Sequence, residues 1–253
     1  MLSVRVMPCL LLRNSKLVKT ILFKDPDYIG DPVNAVKIYN EKEVDELIFL
    51  DITASTEGKP PNIKTIEEIS SECFMPMTYG GGIRCIEDMK RIYNLGVEKI
   101  AINSHAIEDP SLITSAAKIF GNQSVVVAID VKRKMIGGGF DVMTYGGRRN
   151  SKKDPVEWAI EVESLGAGEI LLTSIDRDGT YNGYDLELIQ NVAQAVNIPI
   201  IACGGAGRIE DFAKAVEVGA SACATGSMVV YQGKRRGVLI NFPSQKELRA
   251  ILP

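Results

Sequence analysis

The sequence predicts a closed (βα)8 TIM barrel: eight parallel β-strands, each followed by an α-helix. Three observations predict it. Short apolar or β-branched runs alternate with helical patterns along the whole 253 residues. There are eight of each, and the chain repeats itself at a fixed offset. A doubly wound open sheet also alternates strand with helix, so the repeat decides.

Strands are expected at Val4–Leu11, Glu46–Asp51, Met75–Tyr79, Glu98–Asn103, Val125–Asp130, Glu169–Ser174, Pro199–Cys203 and Ser221–Gly226. The plainest is VVVAIDVK (Val125–Lys132), apolar enough to be buried on both faces before it releases Asp130 at its end. VRVMPCLLLR (Val4–Arg13) opens the chain in the same shape, with Leu11 where Asp130 falls. Helices are expected at Pro32–Val44, Ile63–Cys73, Ile86–Leu95, Pro110–Phe120, Pro155–Leu165, Leu186–Ala195, Ile209–Val218 and Ser244–Leu252.

Asp31-Pro32-Val33 recurs as Asp154-Pro155-Val156, a shift of 123 (154 − 31). The same shift carries Glu46 to Glu169, Gly81-Gly82 to Gly204-Gly205, Gly96 to Gly219 and Ser104 to Ser227. A four-strand unit with open edges buries them most simply by closing on its copy. One domain over 1–253 is therefore expected, from half-barrels of about 1–123 and 124–253. At the first strand the shift is 119 (130 − 11), and the second half gains its extra residues in Lys132–Gly147, which reads as a β-hairpin with a Gly-rich turn. The first βα loop, Arg13–Gly30, is long enough to act as a lid.

With 45% hydrophobic and 24% charged residues, a chain of this length supports a continuous core. A net charge of −3 gives nucleic acid nothing to bind overall. Five scattered cysteines without a C-x-x-C pair speak for a reducing compartment and against disulfides or zinc. No apolar run reaches the roughly 18 residues that span a membrane, and Arg5 and Pro8 break up any signal-like start. A cytoplasmic protein is expected, without membrane or nucleic-acid partners and without a cofactor or metal.

Glycine-rich elements follow four strands: TYGGGIR (Thr78–Arg84), INSHA (Ile102–Ala106), and their repeat partners ACGGAGR (Ala202–Arg208) and TGSMV (Thr225–Val229). Glycines let backbone N–H groups approach an anion, and barrels commonly hold phosphate after strands 7 and 8. One such loop could be only a tight βα turn. Two copies on opposite sides point to a substrate with two phosphates, held by Gly81, Gly82, Asn103 and Ser104 on one side and Gly204, Gly205, Gly226 and Ser227 on the other.

Carboxylates at strand ends, Asp51, Asp130, Asp176 and Asp178, are placed to face the mouth. An aspartate there can also cap the next turn, which is the competing reading for Asp51. Asp130, leaving a buried strand, is read as a general base. Asp178 is expected to orient substrate hydroxyls, with Asp51 and Thr173 beside it. Lys19 is either part of a lid over an anionic ligand or a solvated loop lysine.

Arg5, Glu46, Lys99 and Glu169 lie at strand starts, at the other end of the barrel. They are ordinary surface charges or, if turned inward, must pair with one another. His105 is the single histidine, which leaves no His-bearing triad and no multi-His metal site in this chain. It reads as a loop residue and Trp158 as packing. GRRNSKK (Gly147–Lys153) and Lys234-Arg235-Arg236 read as solvated basic clusters, the first also able to attract an anionic substrate.

On FLDITAS (Phe49–Ser55), GGGIR (Gly80–Arg84), AIDVKR (Ala128–Arg133), GAGEILLTSIDRDGT (Gly166–Thr180) and GGAG (Gly204–Gly207), the chain resembles the cyclase subunit of imidazole glycerol phosphate synthase from Met1 to about Tyr231. The resemblance implies a bisphosphate substrate on the two glycine-rich sites and a glutaminase partner at the N-terminal face. Ammonia from that partner would enter through a salt-bridged gate, which Arg5, Glu46, Lys99 and Glu169 match. It also implies two aspartates, at the ends of strands 1 and 5, as acid and base. Asp130 and Lys19 match, but the first aspartate is Leu11, which predicts a loss of roughly 10²–10⁴-fold in cyclase chemistry. Cys203 stands where the family usually has serine.

The tail, Ser227–Ser244, resembles a branch associated with glycosyl amidation in surface-polysaccharide synthesis. The sequence reading therefore favours ammonia delivery to a separate sugar-amidating enzyme. An active cyclase/lyase is the alternative. A sugar-phosphate isomerase of the related barrel type is a second alternative, which would also need two catalytic aspartates.

Overall fold

The computed structural model describes residues 4–233 and 235–253. Met1–Ser3 and Lys234 lie outside the described residues, so the basic cluster at Lys234-Arg235-Arg236 is described only from Arg235 onward.

Eight strands run parallel and close on themselves: β1 (Arg5–Arg13), β2 (Leu47–Asp51), β3 (Met77–Gly80), β4 (Lys99–Ile102), β5 (Val125–Arg133), β6 (Glu169–Ser174), β7 (Ile200–Cys203) and β8 (Ala222–Thr225). Neighbours pair in chain order, β8 pairs with β1, and β5 pairs with β6 across the junction of the halves. The expected third strand starts two residues late. Met75 and Pro76 stay outside it, because Pro has no N–H for the ladder.

The main helices are α1 (Pro32–Glu41), α2 (Ile63–Ser70), α3 (Ile86–Tyr93), α4 (Ser111–Phe120), α5 (Pro155–Ser164), α6 (Leu186–Ala193), α7 (Glu210–Glu217) and α8 (Gln245–Ile251). Their starts are written in the sequence. Asp31 accepts from the Asn34 N–H and Asp154 from those of Val156 and Glu157, each with proline in the first turn, where its missing N–H costs nothing. Ser244 and Glu247 form a reciprocal capping box on α8. Trp158 is 1% exposed on the inner face of α5, with the Lys153 ammonium 4.3 Å above its ring.

Two separate apolar clusters explain why the strands are apolar on both faces. The larger lies between barrel and helices, where Leu10, Phe49, Tyr79, Val127, Trp158 and Phe212 meet. The smaller fills the barrel interior with Met7, Cys9, Ile48, Ala101, Val126, Ala128, Leu171, Ile201, Ala222 and Ala224. Four of those ten are alanines, so the interior is lined by short side chains rather than by the bulky branched residues usual in such barrels.

The segment Arg13–Gly30, read from the sequence as a long loop able to act as a lid, is an ordered hairpin of two strands, Lys16–Ile21 and Lys24–Gly30, with the first paired to β1. Leu17 and Val18 explain this, since both are buried and anchor the strand to the barrel. The second hairpin is found where expected: β5 continues to Arg133 and pairs antiparallel with Phe140–Thr144 around Gly137–Gly139, all three at positive φ. Among the described residues, no helix is long and apolar enough to cross a membrane, and the five cysteines are free.

Candidate functional site

The strand C-termini and their loops enclose a cavity of about 340 Å³. Period-two alternation aims Leu11, Asn103, Asp130 and Thr173 into it, together with Lys19 and Asp178 from the loops. Asp51 borders it too, but its carboxylate accepts from the Thr53 N–H (2.9 Å), the Thr53 hydroxyl (2.8 Å) and the Ala54 N–H (3.0 Å). Asp51 thus makes the turn-capping contacts of the competing reading. Asp176 corrects an expectation: it does not face the mouth. Its carboxylate accepts from the Arg133 N–H at 2.7 Å and ties the second hairpin to the loop after β6.

Asp130 accepts a hydrogen bond from Asn103 Nδ2 at 3.2 Å. Withdrawal from water pushes its carboxyl up to about 7; the Thr173 hydroxyl opposes the rise and the charge of Asp178 adds to it. A group near 7 can give or take a proton at neutral pH. Because the folded pKa lies above the ordinary 3.8, the folded state holds this proton more tightly than the unfolded chain does. Stability is then lost as pH rises from about 4 to about 7. At about 1.4 kcal/mol per unit, the penalty above pH 7 is on the order of 4 kcal/mol. Asp130→Asn is expected to be more stable than the parent in denaturant titrations at pH 8, with the gain vanishing near pH 4; equal gains at both values would refute the shift.

Lys19 is neither free nor solvated. It is 5% exposed, and its ammonium donates to Asp178 Oδ1 at 2.8 Å and to the Thr20 carbonyl at 3.0 Å. The Thr20 hydroxyl donates to the same carboxylate at 3.1 Å, so both ions are paired and hydrogen-bonded, as burial requires.

The glycine-rich loops lie at opposite sides of the mouth. Gly81 (φ 120°) and Gly205 (φ 117°) are required by geometry: a Cβ would stand 2.5 Å from the Asp51 carbonyl oxygen and 2.2 Å from that of Gly183. Beside the second pair of loops, the hydroxyls of Thr225 and Ser227 are buried and have no hydrogen-bond partner among the described residues.

At the N-terminal end the four charges turn inward and close a ring. Arg5 donates to Glu46 at 2.8 Å and to Glu169 at 2.6 Å, and Lys99 donates to the same two carboxylates at 2.9 and 3.1 Å. Thr78 adds a hydroxyl to Glu46 at 2.7 Å. Burial alone would pull Arg5 down, but the two carboxylates outweigh it and hold the guanidinium above its ordinary value. Between ring and mouth lies the alanine-lined interior. There, a hydrogen bond with Cys203 and burial push the Cys9 thiol well up, so Cys9 adds no charge at neutral pH.

A family profile described as histidine biosynthesis protein matches residues 5–236. The chain belongs to that family. A Pseudomonas aeruginosa protein provisionally described as imidazole glycerol phosphate synthase subunit hisF2 is 52% identical, over 96% of this chain and 97% of its own. The imidazole glycerol phosphate synthase subunits HisF of Campylobacter concisus and Alkaliphilus metalliredigens are 50% and 48% identical, over 88% and 91% of this chain and 88% and 92% of theirs. The histidine biosynthesis barrel is thus HisF-like over most of its length. These names support the synthase resemblance and add nothing to the glycosyl-amidation branch drawn from the tail.

Sequence reasoning missed several partners of the expected residues. Thr78 was available from alternation, since it faces inward between the positions of Glu46 and Lys99. Asn103 was placed at an anion loop but not on Asp130. The second hairpin's hold on the β4 end left no local signal. It depends on Tyr145 donating through its backbone to Ser104 and through its hydroxyl to Glu108, about 40 residues away in each case.

Proposed function

We propose that this chain is an ammonia-conducting cyclase/lyase subunit of the imidazole glycerol phosphate synthase type, working with a single strand-end carboxylate. One observation carries the reading: the four-charge ring, the small-residue interior and the anion-loop mouth lie on one axis. The ring spans the end of the barrel where a glutaminase would dock. Two carboxylates and two cations can part without stranding any charge, because each ion keeps a second partner. Ammonia is small and neutral, and a passage lined by alanine, Cys9 and Cys203 gives it nothing strong to bind.

At the mouth, the two sets of glycine loops would hold the ends of a bisphosphate, with Asp178 and Thr173 orienting its hydroxyls and Asp51 shaping the loop beside it. Asp130, near 7, would carry the proton transfers of cyclisation and cleavage. Lys19 would hold the Asp178 carboxylate in place. Two strand-end acids are what the family chemistry calls for, and Leu11 can neither hold nor move a proton. A slow rather than absent reaction follows.

A specific observation favours a second reading, in which ammonia leaves the mouth for a separate acceptor enzyme such as one that amidates a sugar. That observation is Leu11 itself, with Leu50 opposite it across the β1–β2 pair, an apolar wall where the acid would stand. Turnover assays with ammonium and the synthase's bisphosphate separate the two. Measurable product, imidazole glycerol phosphate, from the natural chain supports the cyclase. No product from it, with product from Leu11→Asp alone, supports delivery elsewhere.

A further inference from the structure

The internal repeat makes the two anion sites look equivalent, but the side chains around them do not treat them alike. At the β3/β4 side the protein's own groups already occupy the polar atoms a phosphate would use. The Gly82 N–H donates to Ser55 Oγ at 3.2 Å. Ser104 Oγ accepts from the Tyr145 N–H at 2.9 Å and donates to Asn103 Oδ1 at 3.2 Å. Asn103 in turn spends its amide on the Ala128 carbonyl (2.9 Å) and on Asp130 (3.2 Å).

At the β7/β8 side the equivalent hydroxyl is free. Among the described residues, Ser227 Oγ has no partner though the residue is only 4% exposed, and the neighbouring Thr225 hydroxyl, at 2%, has none either. Both residues line the mouth. A buried hydroxyl without a partner is costly, and an anionic oxygen placed against it recovers that cost. A cation is at hand as well. A Cβ on Gly226 would stand 2.9 Å from Lys19 Cε, so the lysine stem packs on this loop, with Asp178 as its counter-ion.

The occupied side is held by one limb of the second hairpin. Tyr145 sits at φ 54° with its N–H on Ser104, and its hydroxyl donates to Glu108. Arg149 lies 3.6 Å from the Glu108 carboxylate and 5.0 Å from the Tyr145 ring centroid, and His105 Nδ1 is 3.5 Å from the other Glu108 oxygen. Glu108 therefore gathers three partners and fixes the limb over the β3/β4 site. Exposed contacts of this kind are individually weak, which suits a latch that must open.

We propose that the two anion sites fill in order. A ligand phosphate is first anchored at Gly204, Gly205, Gly226 and Ser227. The β3/β4 site takes a second phosphate only once the Tyr145–Arg149 limb releases Glu108 and withdraws the Tyr145 N–H from Ser104 Oγ, which frees that hydroxyl to turn its proton from Asn103 Oδ1 to the ligand. This rests on the reading of the mouth as a two-phosphate site and adds an order of binding with a residue-level latch. The hairpin then reports that the far end of the ligand has arrived.

Titration with inorganic phosphate, followed by backbone amide shifts, tests it. In the natural chain, amides of Gly204, Gly205 and Ser227 are expected to move at lower phosphate than those of Gly81, Gly82 and Ser104. Ser227→Ala should weaken the first event by about 10-fold. Glu108→Gln combined with Arg149→Ala, both exposed changes, should bring the second event to lower phosphate and leave the first in place. Simultaneous movement of both sets in the natural chain overturns the order, as does a first event abolished by Ser104→Ala. Movement of neither set counts against the phosphate reading of the mouth itself.

Discussion

Leu11→Asp is expected to raise ammonium-dependent turnover of the synthase's bisphosphate by about 10²–10⁴-fold, the contribution of one positioned acid or base. The position fits the task. Leu11 belongs to the inward row of β1, is 8% exposed and borders the same cavity as Asp130. The new carboxylate would replace an apolar side chain beside Leu50 and would stand in a mouth that already holds Asp130 and Asp178. Mutual repulsion should raise the proton affinity of one member of the pair, so that one is protonated while the other is ionised. A burial cost in stability accompanies the gain. If turnover by Leu11→Asp matched that of the natural chain, the missing carboxylate would not be what limits the reaction.

Glu46→Gln is expected to lower the unfolding free energy by about 3–5 kcal/mol, because Arg5 and Lys99 then share one remaining carboxylate at a buried site. Glu46 is 2% exposed and meets both cations and Thr78, so no water can take over its role cheaply. Replacing the whole ring is a different matter. Arg5→Met, Glu46→Leu, Lys99→Met and Glu169→Leu together remove every charge at once, and such swaps are often neutral or stabilising by about 1–4 kcal/mol. Denaturant unfolding of both variants separates the cases. A ring kept for stability would make the fourfold variant the weaker of the two. A ring kept for passage would leave it folded but unable to use glutamine through a glutaminase partner.

Much of the fold could be read directly from residue patterns. Strand β5 was unmistakable because its buried run is unbroken, and α1 and α5 were marked by Asp-Pro pairs that cap helices. The hairpin in the first βα segment was not legible, because its anchors, Leu17 and Val18, make too short an apolar run to announce a strand. At the site, single positions were legible where alternation fixes direction: once the strand is known, Lys99, Ala101 and Asn103 must share a face. Pairing was not. Which carboxylate Lys19 meets, whether Asp176 enters the mouth, and what holds Tyr145 over Ser104 depend on contacts between segments 40 to 160 residues apart. No local pattern encodes these.

The most direct measurement of the central claim uses the assembled complex with a glutaminase, comparing glutamine-supported with ammonium-supported turnover in Ala222→Leu. Ala222 is fully buried in the barrel interior, beside Arg5 of the ring in the β1–β8 register and below the residues that line the mouth, and a leucine there narrows the passage at a packing cost of about 1–3 kcal/mol. Ammonia added to solution can reach the mouth directly, whereas ammonia made by the partner must cross the interior. The expected result is a fall of 10-fold or more in glutamine-supported turnover with ammonium-supported turnover retained. Equal retention of both, in a variant shown to be folded, would contradict a passage through the barrel.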